Sequence, residues 1–377
     1  MSAMYARVLR SLLAAGLIGT LACNGNEPID IGVAGPLAHE HGQSMRRAAE
    51  LAVREINRVG GVRGRELRLV FADDSGTANA ATRIAQEFSR NREMMAVVGH
   101  LTSEAMLAAA PIYNAAKRPL VAVSPTAASP DITHAGPFVF RVCPSELAHG
   151  QALAEWARTE LKANRAAVLY LNDHYGRSAK NTFVASFEDQ GGVVTAAEPF
   201  LPELGTLEPL VSHIQSRGGA DALYIAGVHP ATGRIALIAD SLGLTTRILG
   251  SDAITGFPET ETDVAEGVVI STAYLPEKSS PANRAFVDAY AAAYGGRVPD
   301  HRAAGTYDIV HLLARAIEEI GPDRDALQQY LAGVGIDRPP YEGVTGTIAF
   351  DENGDVQGRQ VALGRTFEGR LVGIVDR

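Results

Sequence analysis

Between Ile29 and Ser271 the chain alternates short, β-branched apolar runs with longer stretches whose apolar residues recur at helical spacing. The first pair is Ile29 to Gly35, followed by a segment in which Met45, Ala48, Ala49, Ala52, Val53 and Ile56 share one face and Glu50 and Arg54 the other. Gly60-Gly61 stops that helix. Further strands are expected at Glu66 to Ala72, Met95 to Val98, Ala166 to Leu171, Gly192 to Glu198, Ala222 to Ala226, Arg247 to Leu249 and Gly267 to Ser271. Helices are expected at Thr77 to Asn91, Ser145 to Ala163, Gly176 to Gln190, Thr206 to Arg217 and Pro230 to Leu242. Parallel strands need a long crossover, and a helix supplies it by covering a face of the sheet, so this alternation specifies an α/β fold with parallel sheets. In such sheets ligands bind at the carboxyl ends of the strands.

Two of those strand ends carry chemistry. Val97-Val98-Gly99-His100-Leu101-Thr102-Ser103 and Val121-Ala122-Val123-Ser124-Pro125-Thr126 each run from a β-branched strand into hydroxyls at the start of the next helical segment. Backbone N–H groups point outward unsatisfied at such a place, which makes it a seat for a small anion, most simply a carboxylate. The spacing places the two seats on neighbouring parallel strands, where they can hold one ligand together. On local sequence alone, Ser103 and Thr126 read more readily as helix caps than as ligand contacts.

The ends of the chain differ from its middle. Arg7 and Arg10 precede an uncharged run from Ser11 to Ala22 that is too short to span a bilayer, so residues 1–22 read as a secretory signal. Leu21-Ala22-Cys23 resembles a lipoprotein cleavage site, with Thr20 where such sites usually carry leucine. Residues 23–27 would then be a tether, lipidated at Cys23 and extracytoplasmic, with ordinary secretion as the alternative. The second cysteine, Cys143, reads as a small buried residue at a strand end, and a disulfide to Cys23 as the lesser option. After Leu275 come helical stretches at Pro281 to Tyr294, His301 to Ile320 and Asp323 to Leu331. Strands follow at Gly343 to Phe350, Arg359 to Arg365 and Gly369 to Val375, with a hairpin expected at Asn353-Gly354.

The 377 residues are enough for two cores, and 46% are hydrophobic. The net charge is −9 and nothing basic is clustered, which argues against a nucleic-acid partner. No dinucleotide-binding G-x-G-x-x-G, phosphate-binding loop, G-x-S-x-G or H-E-x-x-H occurs, and the ten histidines are scattered, so neither an enzyme nor a cofactor is expected. His39-Glu40-His41 reads as a solvated loop rather than a metal site, and Asp73-Asp74 as capping residues.

Eight motifs in one order carry a resemblance. They are Ile31-Gly32-Val33-Ala34-Gly35-Pro36-Leu37 with Gly42; Ala49 to Asn57 with Gly60-Gly61; Asp73-Asp74-Ser75; Val98 to Ser103; Ser124-Pro125-Thr126-Ala127; Phe140-Arg141; Tyr175-Gly176; and Gly250-Ser251-Asp252. Over its mature length the chain resembles the periplasmic branched-chain amino acid binding proteins, the type I substrate-binding proteins of ABC transporters. The resemblance implies two Rossmann-like lobes joined by three crossovers, near Val142 to Glu146, Thr272 to Lys278 and Thr347 to Glu352. The N-terminal lobe would take residues 28–144 and 275–348, and the C-terminal lobe 145–274 and 349–377.

The resemblance also implies roles. Ser103 would hold a ligand carboxylate, with Leu101 and Thr126 lining the seat through their backbones. Asp252 would face the ligand's ammonium group, and Tyr175 would cover the ligand as the lobes close. Ala128 stands where relatives often have threonine, which Ser129 or Thr126 would have to replace; Val228-His229 and His41 stand where relatives are often aromatic. The implied protein is a monomer that captures an amino acid or another small carboxylate and delivers it to an ABC permease, touching the membrane only through its lipid. A sensing or envelope-scaffold lipoprotein on the same fold is the alternative.

Overall fold

The computed structural model describes residues 27–201, 207–228, 230–254 and 262–374. The signal segment, Cys23 and His229 lie outside the described residues.

The chain begins with β1 (Ile29–Gly35), α1 (Glu40–Arg58), β2 (Leu67–Asp73), α2 (Ala78–Arg90), β3 (Met94–Gly99), α3 (Ser103–Ala115), β4 (Val121–Ser124) and β5 (Val139–Arg141). These five strands form one parallel sheet in the order β2-β1-β3-β4-β5. Strand alternation splits its side chains between two cores: Ile29, Ile31, Val33, Val98, Val121 and Val123 on one face, Val97 and Ala122 on the other. The order reverses between β1 and β3, so the crevice for a ligand opens beyond Gly35 and Gly99, where the first seat lies.

A second set follows: α4 (Glu146–Thr159), β6 (Arg165–Leu171), α5 (His174–Asp189), β7 (Val193–Phe200), α6 (Glu208–Ser216), β8 (Ala222–Ala226), α7 (Ala231–Ser241), β9 (Arg247–Ser251), the short α8 (Thr262–Ala265) and β10 (Val269–Thr272). The chain then returns to the first sheet with α9 (Pro281–Ala293), α10 (His301–Ile320) and α11 (Arg324–Gly333); Ile309, Leu313 and Ile317 of α10 share a core with α1. Polar side chains start many of these helices: Thr77, Thr102, Asp173, Ser280, Asp300 and Asp323 each accept a backbone N–H of the first turn.

The last strands are β11 (Tyr341–Gly343), β12 (Gly346–Ile348), β13 (Ala362–Phe367) and β14 (Arg370–Gly373). Strand β13 adds antiparallel to β10 and β14 antiparallel to β13, giving a second sheet ordered β14-β13-β10-β9-β8-β6-β7 whose other pairs are parallel. The architecture is thus the expected α/β one with two largely parallel sheets.

Two local expectations need correction. No extended hairpin forms at Asn353-Gly354; the turn closes only an isolated bridge between Phe350 and Val356, and the hairpins are Tyr341–Ile348 and Ala362–Gly373. The cause is tertiary. The Gly354 carbonyl accepts the Arg141 N–H at 3.1 Å, and the Asp355 carboxylate takes the Arg141 guanidinium at 2.7 and 2.5 Å, which pins the turn to β5. Phe350 and Val356 therefore stay in the core of the first sheet, and the last crossing runs through Gln357 to Val361, later than Thr347 to Glu352. The second and third crossings are tied together, because Lys278 and Arg359 both donate to the Thr345 carbonyl. The Asp308 carboxylate holds that segment by accepting the N–H groups of Val344 and Thr345 at 2.7 and 2.9 Å.

Arg141 is 1% exposed, and removing it leaves Asp355 without its guanidinium and takes one donor from each of the Ala128 and Ser129 carbonyls. The substitution Arg141→Ala is expected to lower the unfolding free energy by about 3 kcal/mol or more, read from urea denaturation, because a broken buried pair leaves its partner uncompensated.

Candidate functional site

The first seat is built by a set of hydrogen bonds that consume the loop hydroxyls one by one. His100 is fully buried, with Nδ1 2.6 Å from Asp74 Oδ2 and Nε2 3.0 Å from the Tyr113 hydroxyl. That fixes the loop leaving β3. Asp74 also accepts the Gly76 N–H at 2.8 Å, and Asp73 those of Leu37 and Ser75, so the acidic pair caps turns and orients a histidine. Ser124 Oγ donates to the His100 carbonyl at 2.7 Å and accepts the Ala127 N–H at 2.9 Å. Thr126 Oγ1 donates to the Leu101 carbonyl at 2.8 Å. The Thr126 hydroxyl therefore ties the two loops together, and its N–H is turned to Ser124 Oγ at 3.4 Å.

Ser103 opens α3. Its Oγ accepts the Ser129 N–H at 3.2 Å and makes a long 3.5 Å bond to Glu146 Oε1. Thr102 caps the N–H of Ala105, and the N–H groups of Ser103 and Glu104 have no acceptor within the helix. The neighbouring loop is held by Arg141, which donates to the carbonyls of Ala128 and Ser129 at 2.9 and 2.7 Å. Ala128 supplies no hydroxyl; its carbonyl also takes the Glu146 N–H at 2.9 Å. Cys143, buried behind this loop, points its thiol at the Ala127 carbonyl, and burial pushes that thiol up to about 12. Leu101, Ser103, Thr126 and Ala128 are thus brought together in one hydrogen-bonded unit.

The opposite wall comes from the ends of β6 and β9. The Tyr175 hydroxyl bonds Ser251 Oγ, next to Asp252. Asp252 lies 3.9 Å from His149 Nε2 and 3.8 Å from His301 Nε2, while His149 Nδ1 meets Ser271 Oγ at 3.0 Å. Burial alone would push the Asp252 carboxyl up; His301, His149 and Arg302 outweigh it and hold the group below the usual carboxylate range. Burial lowers His301 to about 4 in spite of Asp252, so it is neutral at physiological pH.

The two walls already touch. Ser129 Oγ meets His174 Nε2 at 2.9 Å, and Arg302 donates to the carbonyls of Asp252 and Ala253 at 3.4 and 3.5 Å. At the first crossing lies Glu146, named from the sequence only as a bound of that crossing and given no role. It is 2% exposed, and its Oε2 has no hydrogen-bond partner among the described residues. Burial raises its carboxyl to about 7 against the opposing pull of Ser178 and Arg141, with Asp173 adding to the rise. Also unforeseen were His149, His301 and Arg302, whose types carry no motif and which only the fold brings to Asp252. His39-Glu40-His41 forms no cluster: Glu40 pairs with Arg47 and Arg297, and no group placed to hold a metal ion occurs among the described residues. Among those residues no helix is long and apolar enough to cross a membrane.

Two α/β layers, joined by three crossings and meeting at the carboxyl ends of their strands, define a two-lobed protein that captures a small molecule in the cleft between them. The chain belongs to the periplasmic binding protein family, whose model matches residues 29–369, and within it to the substrate-binding proteins of ABC transporters, which bind rather than catalyse. It is 34% identical to an ABC transporter substrate-binding protein from Desulfitobacterium hafniense solved in complex with Leu, with 92% of this chain and 100% of that one covered at a TM-score of 0.78. A leucine-binding protein from Thermotoga maritima superposes at a TM-score of 0.84 and 28% identity, covering 92% of this chain and 98% of its own. By sequence the chain is 26% identical to Leu/Ile/Val-binding protein homolog 3 of Brucella melitensis, over 98% of this chain and all of that protein.

The raised carboxyl of Glu146 has a consequence for stability. Its folded form binds a proton more tightly than the unfolded chain does, so the contribution of this one group to native stability falls as pH rises from about 4.5 to about 7 and is flat above. Glu146→Gln should therefore be more stable than the parent at pH 7 to 8, by on the order of 2 to 3 kcal/mol, with the gap closing below pH 5. Denaturant unfolding of the ligand-free proteins at several pH values measures this, and an unchanged gap at pH 5 and pH 8 would contradict it.

Proposed function

We propose that the protein captures a small carboxylate-bearing ligand, most simply an amino acid, and delivers it to an ABC permease. The carrying observation is the start of α3, where the Ser103 hydroxyl lies beside first-turn N–H groups that have no acceptor within the helix, an arrangement suited to a small anion. The Leu complex of the Desulfitobacterium hafniense relative supports the choice of ligand class. In this reading Ser103 holds the carboxylate, Leu101, Thr126 and Ala128 shape the seat through their backbones, Asp252 faces an ammonium group, and Tyr175 and His229 close the far side. Ligand contact with both lobes would bias them towards closure, the form a permease recognises.

The lobes themselves are read as 28–144 with 275 to about 356, and 145–274 with about 362–377. Cys23 is read as the lipidated first residue of a monomeric, extracytoplasmic protein whose sole membrane contact is that lipid. Intact-mass measurement of the mature chain checks the anchor, since a mass without acyl chains removes it.

A thermal-shift screen against L-leucine, L-isoleucine, L-alanine, L-glutamate and benzoate tests the function. One amino acid is expected to raise the melting temperature, and Ser103→Ala or Asp252→Ala to weaken its Kd about tenfold or more, the loss of one hydrogen bond to a charged group. Binding of benzoate with Asp252→Ala unaffected would instead make the ligand a carboxylate without an ammonium group. A melting temperature unmoved by every compound would favour the sensing or scaffold reading.

A further inference from the structure

Glu146 is a carboxyl group that the family-level roles leave unused, and its position is unusual in three respects. It starts α4 immediately after the first crossing, where Ser103 of α3 and Ser178 of α5 both act on it. It is almost fully buried, with Oε2 unpartnered among the described residues. Its other oxygen is bonded by Ser103, the residue that holds the ligand in the proposed function. We propose that Glu146 is a ligand-contacting acid: it takes up a proton as the ligand's carboxylate reaches Ser103, and donates that hydrogen to the carboxylate, supplying the contact that Ala128 cannot make. The inference rests on the carboxylate-capture reading above.

The chemistry follows from the Ser103 hydroxyl, which has one hydrogen to give. In the ligand-free protein it points at Glu146 Oε1, and Ser103 Oγ accepts from Ser129. When a ligand carboxylate arrives, that hydrogen turns to it, and Glu146 loses the Ser103 bond, keeping only the pull of Ser178 and Arg141, just as a second negative charge is placed beside it. Both changes favour the neutral acid. The proton comes from solvent, no covalent bond other than O–H is made, and the ligand stays a carboxylate. A protonated carboxyl donating to a carboxylate gives a short, charge-assisted bond.

The surroundings leave the carboxylate form poorly compensated. Arg141 is a cation that pulls on Glu146, but its guanidinium is already engaged by Asp355 and by the carbonyls of Ala128 and Ser129. Asp173 and Ser178 face Glu146 from α5, with Asp173 disfavouring its ionisation and Ser178 favouring it, and Ser103 faces it from α3. Tyr175, Tyr224 and Cys143, all neutral at physiological pH, complete the ring of titratable groups coupled to it, and Asp252 acts on the same three. His149, one turn further along α4, turns to Ser271 and Asp252. The ligand-free carboxyl, raised to about 7, is thus poised where a modest added charge tips it.

Isothermal titration of the mature protein with L-leucine, and with benzoate as second probe, in phosphate and in Tris at pH 7.5 counts the protons. More than about half a proton is expected to be taken up per ligand at pH 7.5, and close to none at pH 6, where Glu146 is already protonated. The Kd should weaken about tenfold between pH 6 and pH 8, and Glu146→Gln should remove both the uptake and the pH dependence while still binding. Binding without proton uptake in the parent protein, or uptake that survives in Glu146→Gln, overturns the inference and leaves the capture reading intact. If the glutamine variant does not fold, the parent's proton count decides alone. Failure of both probes to bind at either pH overturns the inference together with the carboxylate reading on which it rests.

Discussion

The guanidinium of Arg141 is the point on which the cleft depends. It sits at the end of the edge strand of the first sheet, nearly without solvent access, and its hydrogen bonds run to the loop carrying Ala128 and Ser129 and to Asp355 near the end of the chain. Taking a charge out of water is costly, and only complete hydrogen bonding with a well-placed carboxylate offsets that cost. Because the donors of this group form a rigid planar fork, satisfying them sets the direction of both segments at once. The loop can then present the Ser129 N–H to Ser103, while the Asn353-Gly354 turn is drawn away from any ladder and kept with the first core. A contact between residues more than two hundred positions apart therefore decides the shape of a seat formed by residues 101 to 129.

Charge is distributed unevenly across the cleft. The near wall carries hydroxyls, a helix start and one carboxyl without adequate compensation; the far wall carries a carboxylate flanked by two imidazoles and an arginine. The two acids are pushed in opposite directions, Glu146 up and Asp252 down, by burial common to both and by neighbours that differ. One is therefore a source or sink of a proton near neutrality while the other stays ionised. Such division of labour between two carboxyl groups in one pocket arises from placement alone, with no special residue type required.

Much of this was legible in the chain. The strand and helix alternation holds along the sheets because period-two and period-3.6 patterns are local and strong, and His301 to Ile320 is helical over the range expected from its pattern. Leu101, Ser103 and Thr126 meet, as their strand-end positions implied, since neighbouring parallel strands place their ends together. What escaped reading depends on partners remote in sequence. Asn353-Gly354 has the local chemistry of a hairpin, yet Arg141 overrides it. Glu146 looks like an ordinary helix-dipole residue until the fold buries it, and His149, His301 and Arg302 become neighbours of Asp252 only after the chain has crossed between the sheets. The Thr126 hydroxyl, plausible as a ligand donor on its own, is consumed by Leu101.

The antiparallel pair β13 and β14 has a bearing on how the molecule is assembled. Strand β10 pairs with β9 on one side, and its other side is covered only when Ala362 to Phe367 arrive. Until then the second sheet presents an open row of N–H and C=O groups, along a strand whose residues are all buried in the finished protein. The chain thus closes its second layer only after making the described helices of the first. Growth from the amino end cannot finish either layer early, and an unfinished chain carries a sticky edge that another polypeptide could occupy.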